Sequence, residues 1–274
     1  MSILDQFSVT GRSALVTGAA SGLGLAYAEA MAEGGASVTL ADIDGAGAER
    51  EAARLRAAGY TAQGVRMNVA DRDEVSRAFA AHDAAYGGLD ICFANAGIDA
   101  GQGFWNPEGH RNPDGQVDTY DPANWDRSIA VNLTGVYNTI RAAVALIKRG
   151  GKGGAIIATA SNAGLVTEAI VGMPYMPAKA GILHMVRALA LELAEFGIRV
   201  NAIAPGPFVT NIGGGAAKRD PVVRAAWDAS VPLGRMAEPH QIKPLALYLA
   251  SDASDYVTGS HVLIDGGMAL GRFR

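Results

Sequence analysis

Cysteine is nearly absent: Cys92 is the one thiol in 274 residues, which excludes a disulfide framework and a cysteine-rich metal site. It falls within Leu89-Asp90-Ile91-Cys92-Phe93-Ala94, an apolar run that reads as a buried strand, so the thiol is expected to pack rather than react. Charge of one sign is also missing. The net charge is −4 with no basic run or stripe, so nucleic acid is not an expected partner. No stretch approaches the ~20 apolar residues of a membrane span, so no membrane partner is expected. The opening MSILDQFSVTGR has no charged start followed by an apolar block; no secretory signal is expected, and the cytoplasm is the expected compartment. Repeats, low-complexity tracts and dividing linkers are lacking too, and 49% of the residues are hydrophobic. The expectation is a single soluble globular domain over residues 1–274.

What is present centres on a hydroxyl, a phenol and an ammonium. Tyr175 and Lys179 are four apart, so on a helix opened by Tyr175 they share one face. Gly154-Ala155-Ile156-Ile157-Ala158-Thr159-Ala160 reads as a buried strand, and Ser161 stands where it runs out, the edge at which parallel sheets place their chemistry. Bringing a free phenol of pKa about 10 to neutrality requires about 4 kcal/mol. An ammonium about 4 Å away at an effective dielectric near 20 supplies roughly that amount. On this reading Lys179 turns Tyr175 into a usable proton donor or acceptor while Ser161 holds a substrate oxygen.

Earlier in the chain, the strand Ser13-Ala14-Leu15-Val16-Thr17 breaks at Gly18-Ala19-Ala20-Ser21-Gly22-Leu23-Gly24 and passes into an alanine-rich helix expected over 25–33. Such a turn lets backbone approach a pyrophosphate, whose charge then faces the helix N-terminus. A second strand, 37–42, delivers Asp42 eighteen residues after Gly24, near the spacing of a ribose-binding carboxylate. Asp44 reads as a helix-start residue. Alternation continues through a helix at 45–58, a strand at 62–67, a helix at 71–86 and a strand at 89–94, as in a βαβ series. Asn95-Ala96-Gly97 follows as a small polar turn, and Asn95 is either functional or a tie between neighbouring strands.

Residues 98–122 are rich in turn formers and read as a long loop on the ligand-facing edge. His110 within it has no second histidine or carboxylate at ligand spacing. Helical periodicity returns over 125–147, where Asn132 implies either a distortion or a deliberate polar group. The helix over 178–196 carries Leu183, Met185, Val186, Leu189, Leu191 and Leu193 for the core and a partner subunit. A strand at 199–204 leads to Pro205-Gly206-Pro207-Phe208-Val209-Thr210, a second irregular segment and a helix near Trp227, before a helix at 241–249 and a closing strand at 261–267.

Thr17-Gly18-x-x-x-Gly22-x-Gly24, Asn95-Ala96-Gly97, Asn132, Ser161, Tyr175-x-x-x-Lys179, Pro205-Gly206 and Asp265-Gly266-Gly267, in that order, resemble the short-chain dehydrogenases/reductases over nearly the whole chain. The resemblance implies an α/β, doubly wound Rossmann-type three-layer fold with a seven-stranded parallel sheet, a nicotinamide cofactor and a homotetramer. It implies catalytic roles for Asn132, Ser161, Tyr175 and Lys179, with Asn132 in a water-mediated proton relay to Lys179 and Lys179 on the cofactor ribose. Gly18, Ser21, Gly22, Leu23, Gly24, Asp42, Asn95, Ala96, Gly97, Tyr175, Lys179, Pro205, Gly206 and Thr210 would hold the cofactor, Thr210 at the nicotinamide amide. Asn68-Val69 stands where the family has Asp-Val beside the adenine. Ser161 precedes Tyr175 by fourteen residues, one more than expected, and the loop after Gly97 is about a dozen residues longer than in compact members, in a region that tolerates insertion.

The implied activity is hydride transfer between NAD and a secondary alcohol or ketone. NAD rather than NADP follows from Asp42, since a 2′-phosphate there would cost roughly 4 kcal/mol. Two other readings stay open: a catalytically silent nucleotide-sensing protein, or a dehydratase or epimerase on the same fold. Trp105, Val171, Met173, Phe208 and Trp227, with Ser161, are the expected substrate contacts. Arg111, Lys218 and Arg219 could meet an anion or only water. The 98–122 insertion reads either as a lid or as an oligomer contact.

Overall fold

The computed structural model describes residues 2–106 and 109–271; Pro107 and Glu108 of the expected loop lie outside the described residues. Seven strands, β1 (Ser13–Thr17), β2 (Ser37–Asp42), β3 (Ala62–Arg66), β4 (Ile91–Ala94), β5 (Gly154–Thr159), β6 (Ile198–Pro205) and β7 (His261–Ile264), form one sheet of order β3-β2-β1-β4-β5-β6-β7. Every pair is parallel. Parallel strands need crossovers, which α1 (Gly22–Glu33), α2 (Gly45–Ala57), α3 (Arg72–Tyr86), α4 (Pro122–Ile129), α5 (Val136–Gly150) and α6 (Tyr175–Leu193) provide. Beyond β6 come α7 (Ala216–Arg219), α8 (Pro221–Ser230) and α9 (Lys243–Ala250).

Because helices cover both faces, the inner strands are apolar on both sides. Val16, Phe93 and Ile157 pack with α1, α2 and α9 in one core layer. Leu15, Cys92 and Ile156 pack with α3, α5 and α6 in the other. This is the doubly wound three-layer α/β architecture expected, and it puts Cys92 at full burial. Chain direction across the sheet reverses between β1 and β4, so the two crossovers diverge there and leave a crevice at the strands' C-terminal ends.

Helix starts differ from expectation where local chemistry overrides periodicity. α1 begins at Gly22, within the glycine turn, rather than at residue 25. Residues 122–150 run as continuous helix, but a π-helical turn, Ala130–Gly135, divides α4 from α5, with Asn132 inside it. This run is also long and apolar enough to cross a membrane by length and hydropathy, which corrects the expectation that no stretch reaches that length. Its apolar stripe, Val136, Ile140, Ala143 and Ile147, is buried in the core layer, so the composition is explained by packing against the sheet. On α6 the faces separate: Leu183, Val186 and Leu193 are buried, whereas Leu191 is 84% exposed.

His82 on α3 is a buried histidine joining three elements. Its Nε2 faces the Gly88 carbonyl at 3.0 Å; a carbonyl only accepts, so Nε2 carries the proton and Nδ1 accepts from the Thr39 hydroxyl at 2.7 Å. Burial pushes its pKa down to about 4, with the Gly88 bond and the Asp83 and Asp90 charges opposing. The folded state therefore binds fewer protons than the unfolded chain between pH 6.5 and about 4, and stability present above that window is lost as the pH falls through it, by up to about 3 kcal/mol. Urea midpoints compared between pH 7 and pH 4.5 should fall further for the wild-type chain than for His82→Gln. Equal falls would remove His82 as the source.

Candidate active site

The glycine turn forms the crevice floor. Ser21 precedes α1 in extended conformation and makes no side-chain cap, so the first N–H groups, at Gly22 and Leu23, are left for a ligand. Gly24 is where the turn needs glycine most: a Cβ there would lie 2.0 Å from the Gly18 carbonyl oxygen and 2.6 Å from Asn95 Nδ2. Thr210 stands across the turn, its Cβ 3.5 Å from where a Gly22 Cβ would be. Asp42 closes the far side. Its Oδ2 accepts from Ala20 N at 2.9 Å and its Oδ1 from Asp44 N at 2.9 Å, so the carboxylate is aimed at the turn with lone pairs left on both oxygens. Asp44 itself caps α2 by accepting from Gly47 N.

Asn68 follows β3 at the same end, its main-chain N donating to Glu74 Oε2 at 2.9 Å. Val69 is buried against Gly135, where a Cβ would meet its Cγ2 at 2.6 Å. The added finding is Arg66, which pairs with Asp42 across the β2–β3 ladder. Its guanidinium is committed to Glu74 at 2.6 Å.

Asn95 ties three strands. Its Nδ2 donates to Thr17 O at 2.9 Å, its main-chain N donates to Thr17 Oγ1 at 2.9 Å, and its Oδ1 accepts from Thr159 Oγ1 at 3.0 Å. The Thr159 carbonyl in turn accepts from Lys179 Nζ at 2.8 Å. Ala96 N also donates to Thr17 Oγ1. Gly97 then passes between two polar side chains: a Cβ on it would meet Asn132 Oδ1 at 2.9 Å and Lys179 Nζ at 3.7 Å. Asn132, fully buried, spends its side chain on Ile98 N at 2.9 Å, Ile98 O at 3.1 Å and Ser128 Oγ at 3.0 Å. The π-helical turn widens the helix at that residue, a form of distortion frequent at functional sites.

Tyr175 opens α6 and Lys179 follows one turn later. Lys179 Nζ lies 5.5 Å from the Tyr175 ring centroid. The ionisation of the pair departs from expectation. Burial pushes the Tyr175 phenol up to about 12, offset in part by the Ser161 hydrogen bond and reinforced by the charge of Asp99. Burial also lowers Lys179 to about 8. The ammonium was expected to pull the phenol toward neutrality; in this arrangement it bonds the Thr159 carbonyl, and loss of water outweighs attraction for both groups. Ser161 is buried beside them and accepts from Ala163 N at 3.1 Å. Pro205 and Gly206 end β6 alongside, with Pro205 O 3.5 Å from Ser161 Oγ.

The expected substrate wall is only partly assembled. Gln102 pairs with Val171 in antiparallel fashion, Gly103 N donates to Ile170 O at 3.0 Å, Trp105 N to Ala169 O at 3.1 Å, and Gly172 N to Gly101 O at 3.0 Å. The insertion is thus fastened along the segment that leads to Tyr175, and it carries Trp105 and Val171 in one ribbon, with Met173 two residues on. Phe208 is a correction: it is 5% exposed and belongs to the core layer with α1 and α9. Main-chain bonds from Ala237 N to Pro207 O and from Val209 N to Ala237 O turn it inward. Trp227 is half-buried on α8, in the segment after Thr210. Arg111 bonds Gln116, and Lys218 bonds Asn211 at 2.9 Å. Sequence reading passed over Asp99, Asn162 and Glu168; only the adjacency of Asn162 to Ser161 gave any signal.

The family described as enoyl-(acyl carrier protein) reductase matches residues 18–269. A cis-4-hydroxycyclohexanecarboxylate dehydrogenase of Sinomonas cyclohexanicum is 38% identical, over 93% of this chain and 96% of its own. Among solved structures, a short-chain type dehydrogenase/reductase from Mycobacterium marinum superposes with a TM-score of 0.88 at 35% identity, covering 97% of this chain and 99% of that one. A gluconate 5-dehydrogenase from Burkholderia cenocepacia, in complex with NADP and tartrate, superposes with a TM-score of 0.86 at 30% identity, covering 99% and 100%.

Asn95→Ala would leave the Thr17 carbonyl and the Thr159 hydroxyl without their partner in a buried setting. Each such loss costs about 1–3 kcal/mol. Urea denaturation should therefore show a fall of at least about 2 kcal/mol in unfolding free energy. A loss below about 0.5 kcal/mol would mean that the tie carries no strain when cut.

Proposed function

The chain belongs to the short-chain dehydrogenase/reductase family, and from that premise we propose that it interconverts a secondary alcohol and a ketone with NAD, Tyr175 serving as acid and base. The observation that carries the reading is the convergence of Ser161, Tyr175 and Lys179 at the end of β5, beside an uncapped helix N-terminus. Gly18, Ser21, Gly22, Leu23 and Gly24 suit a pyrophosphate because the turn exposes backbone N–H groups at the positive end of α1. Asp42 suits the ribose hydroxyls, Asn68 and Val69 would flank the adenine, and Asn95, Ala96, Gly97, Pro205, Gly206 and Thr210 would line the remainder. NAD, when bound, supplies the hydride acceptor or donor.

The chain's own residues manage the proton and the oxygen. Ser161 orients the substrate oxygen; Tyr175 takes its proton in oxidation and returns it in reduction. Lys179, held on the Thr159 carbonyl, would set the charge near the phenol and reach the ribose, and Asn132 would connect Lys179 to water. Trp105, Val171, Met173 and Trp227 form the substrate side, which suits an apolar or ring-shaped alcohol. Leu191 and Tyr137, exposed on α6 and α5 at 84% and 43%, are consistent with a homotetramer.

Tyr175→Phe keeps the ring and deletes the proton, so turnover should fall at least about a thousandfold, within the usual range for a lost acid/base, while NAD binding by calorimetry stays within a few fold. The raised phenol pKa fixes the pH dependence. Reduction uses the protonated phenol, fully present at neutral pH, and should be flat from pH 6 to 8. Oxidation uses the deprotonated form and should climb with pH, less steeply once Lys179 loses its charge above about 8. A flat oxidation profile from pH 6 to 9 would take the base role away from Tyr175.

For the cofactor, a 2′-phosphate beside Asp42 costs roughly 4 kcal/mol, or about a thousandfold in kcat/KM. Arg66, the cation nearest in the ladder, is held by Glu74 and is not available to relieve it. Comparable kcat/KM with NADP and NAD, measured by absorbance at 340 nm on a panel of secondary alcohols, would end the assignment of Asp42 as selector.

A further inference from the structure

We propose that Asn162 and Glu168 are positioning residues for Ser161: the Glu168 carboxylate sets the orientation of the Asn162 amide, and the amide oxygen aims the Ser161 hydroxyl. The inference rests on the proposed alcohol–ketone reading of the site. Asn162 is 6% exposed, and its Nδ2 donates to Glu168 Oε1 at 3.1 Å. Its Oδ1 accepts from Ser161 Oγ at 3.2 Å. A carboxylate can only accept, so the NH2 end of the amide must face Glu168 and the carbonyl end must face Ser161. The flipped amide would set its oxygen against the carboxylate and take the acceptor away from Ser161. Glu168 thereby decides a contact that it does not touch.

The serine's other contacts make this orientation matter. Its oxygen already accepts from Ala163 N at 3.1 Å, and its second acceptor, Pro205 O, stands at 3.5 Å. Both acceptor distances exceed the 2.7–2.8 Å of a good O–H···O bond. Neither acceptor captures the hydroxyl, which also meets the Tyr175 phenol, so a substrate oxygen placed between the two can claim its proton by a small rotation. The same device reaches the tyrosine's helix: Glu168 N donates to Met176 Sδ at 3.3 Å, one residue past Tyr175. Asn162 Nδ2 also lies 3.6 Å from Met268 Sδ. Ser161 and Tyr175 are thus joined through Asn162, Glu168 and Met176 as well as directly.

The test exchanges donor and acceptor between the two positions. Steady-state kcat and KM are measured with NAD and a turned-over secondary alcohol for the wild type, Asn162→Leu, Asn162→Asp, and Asn162→Asp combined with Glu168→Gln. Asn162→Leu should lower kcat about tenfold or more, the size of one lost hydrogen bond, with the NAD dissociation constant within about twofold. Asn162→Asp alone opposes two carboxylates, and its kcat at pH 8 should fall similarly, with the deficit relative to the wild type at the same pH shrinking toward lower pH as one of them protonates. Adding Glu168→Gln lets the new amide donate to the new carboxylate, which still accepts from Ser161; kcat should return to within about threefold of wild type. A purely structural role would not predict rescue by the pair, and the pair is close to isosteric should Asn162→Leu fail to fold. Wild-type kcat in Asn162→Leu, or a double variant no better than Asn162→Asp, overturns the inference alone. If the wild type turns over no secondary alcohol with NAD, or Ser161→Ala and Tyr175→Phe keep their turnover, the reading of the site falls and the inference with it.

Discussion

The site depends on one side chain that ties the sheet where its order reverses. Between β1 and β4 the crossovers part, and a crevice there has no helix to hold its edges. Asn95 supplies the hold by binding Thr17 on β1 and Thr159 on β5 from the end of β4. Through the Thr159 carbonyl the same tie fixes Lys179. Through van der Waals contact it fixes Gly24, which has no room for a side chain between Gly18 and the Asn95 amide. The glycine turn and the cluster of Ser161, Tyr175 and Lys179 therefore share one rigid reference, the arrangement that precise relative placement of two ligands requires.

Burial is the second constraint. Burial at the end of β5 moves Tyr175 and Lys179 away from their charged forms, the phenol upward and the ammonium downward. At neutral pH the phenol then keeps its proton, and the ammonium gives its proton up more readily than a free lysine does. Charge brought into the crevice by a ligand acts at low dielectric and has a large effect on both.

Most of the architecture was legible because parallel strands buried on both faces write themselves as short apolar runs, and because each crossover carries helical periodicity. Asn132 was legible as a distortion, since asparagine inside a long helix has no propensity to justify it, and the π-helical turn is that distortion. Other features lay beyond a linear reading. Phe208 looked like substrate wall from its place after Pro205-Gly206, yet two main-chain bonds to Ala237 turn it into the core, and bonds between distant segments leave no local pattern. The spacing of Tyr175 and Lys179 shows that they share a helical face, but a sequence displays the charge of Lys179 and not the desolvation that governs both groups. Arg66 beside Asp42 is a matter of strand register, which depends on how β2 and β3 align.

The loop after Gly97 and the segment between Ser161 and Tyr175 are joined into one structural feature. Residues 101–105 pair with 169–172. Gly172 marks the tightest point of the crossing, where a Cβ would stand 2.2 Å from the Ala100 carbonyl oxygen. A loop fastened in this way to the segment that delivers Tyr175 cannot move far without moving the segment. Variation in the insertion is therefore transmitted to the approach of Tyr175 and to the stretch holding Asn162 and Glu168.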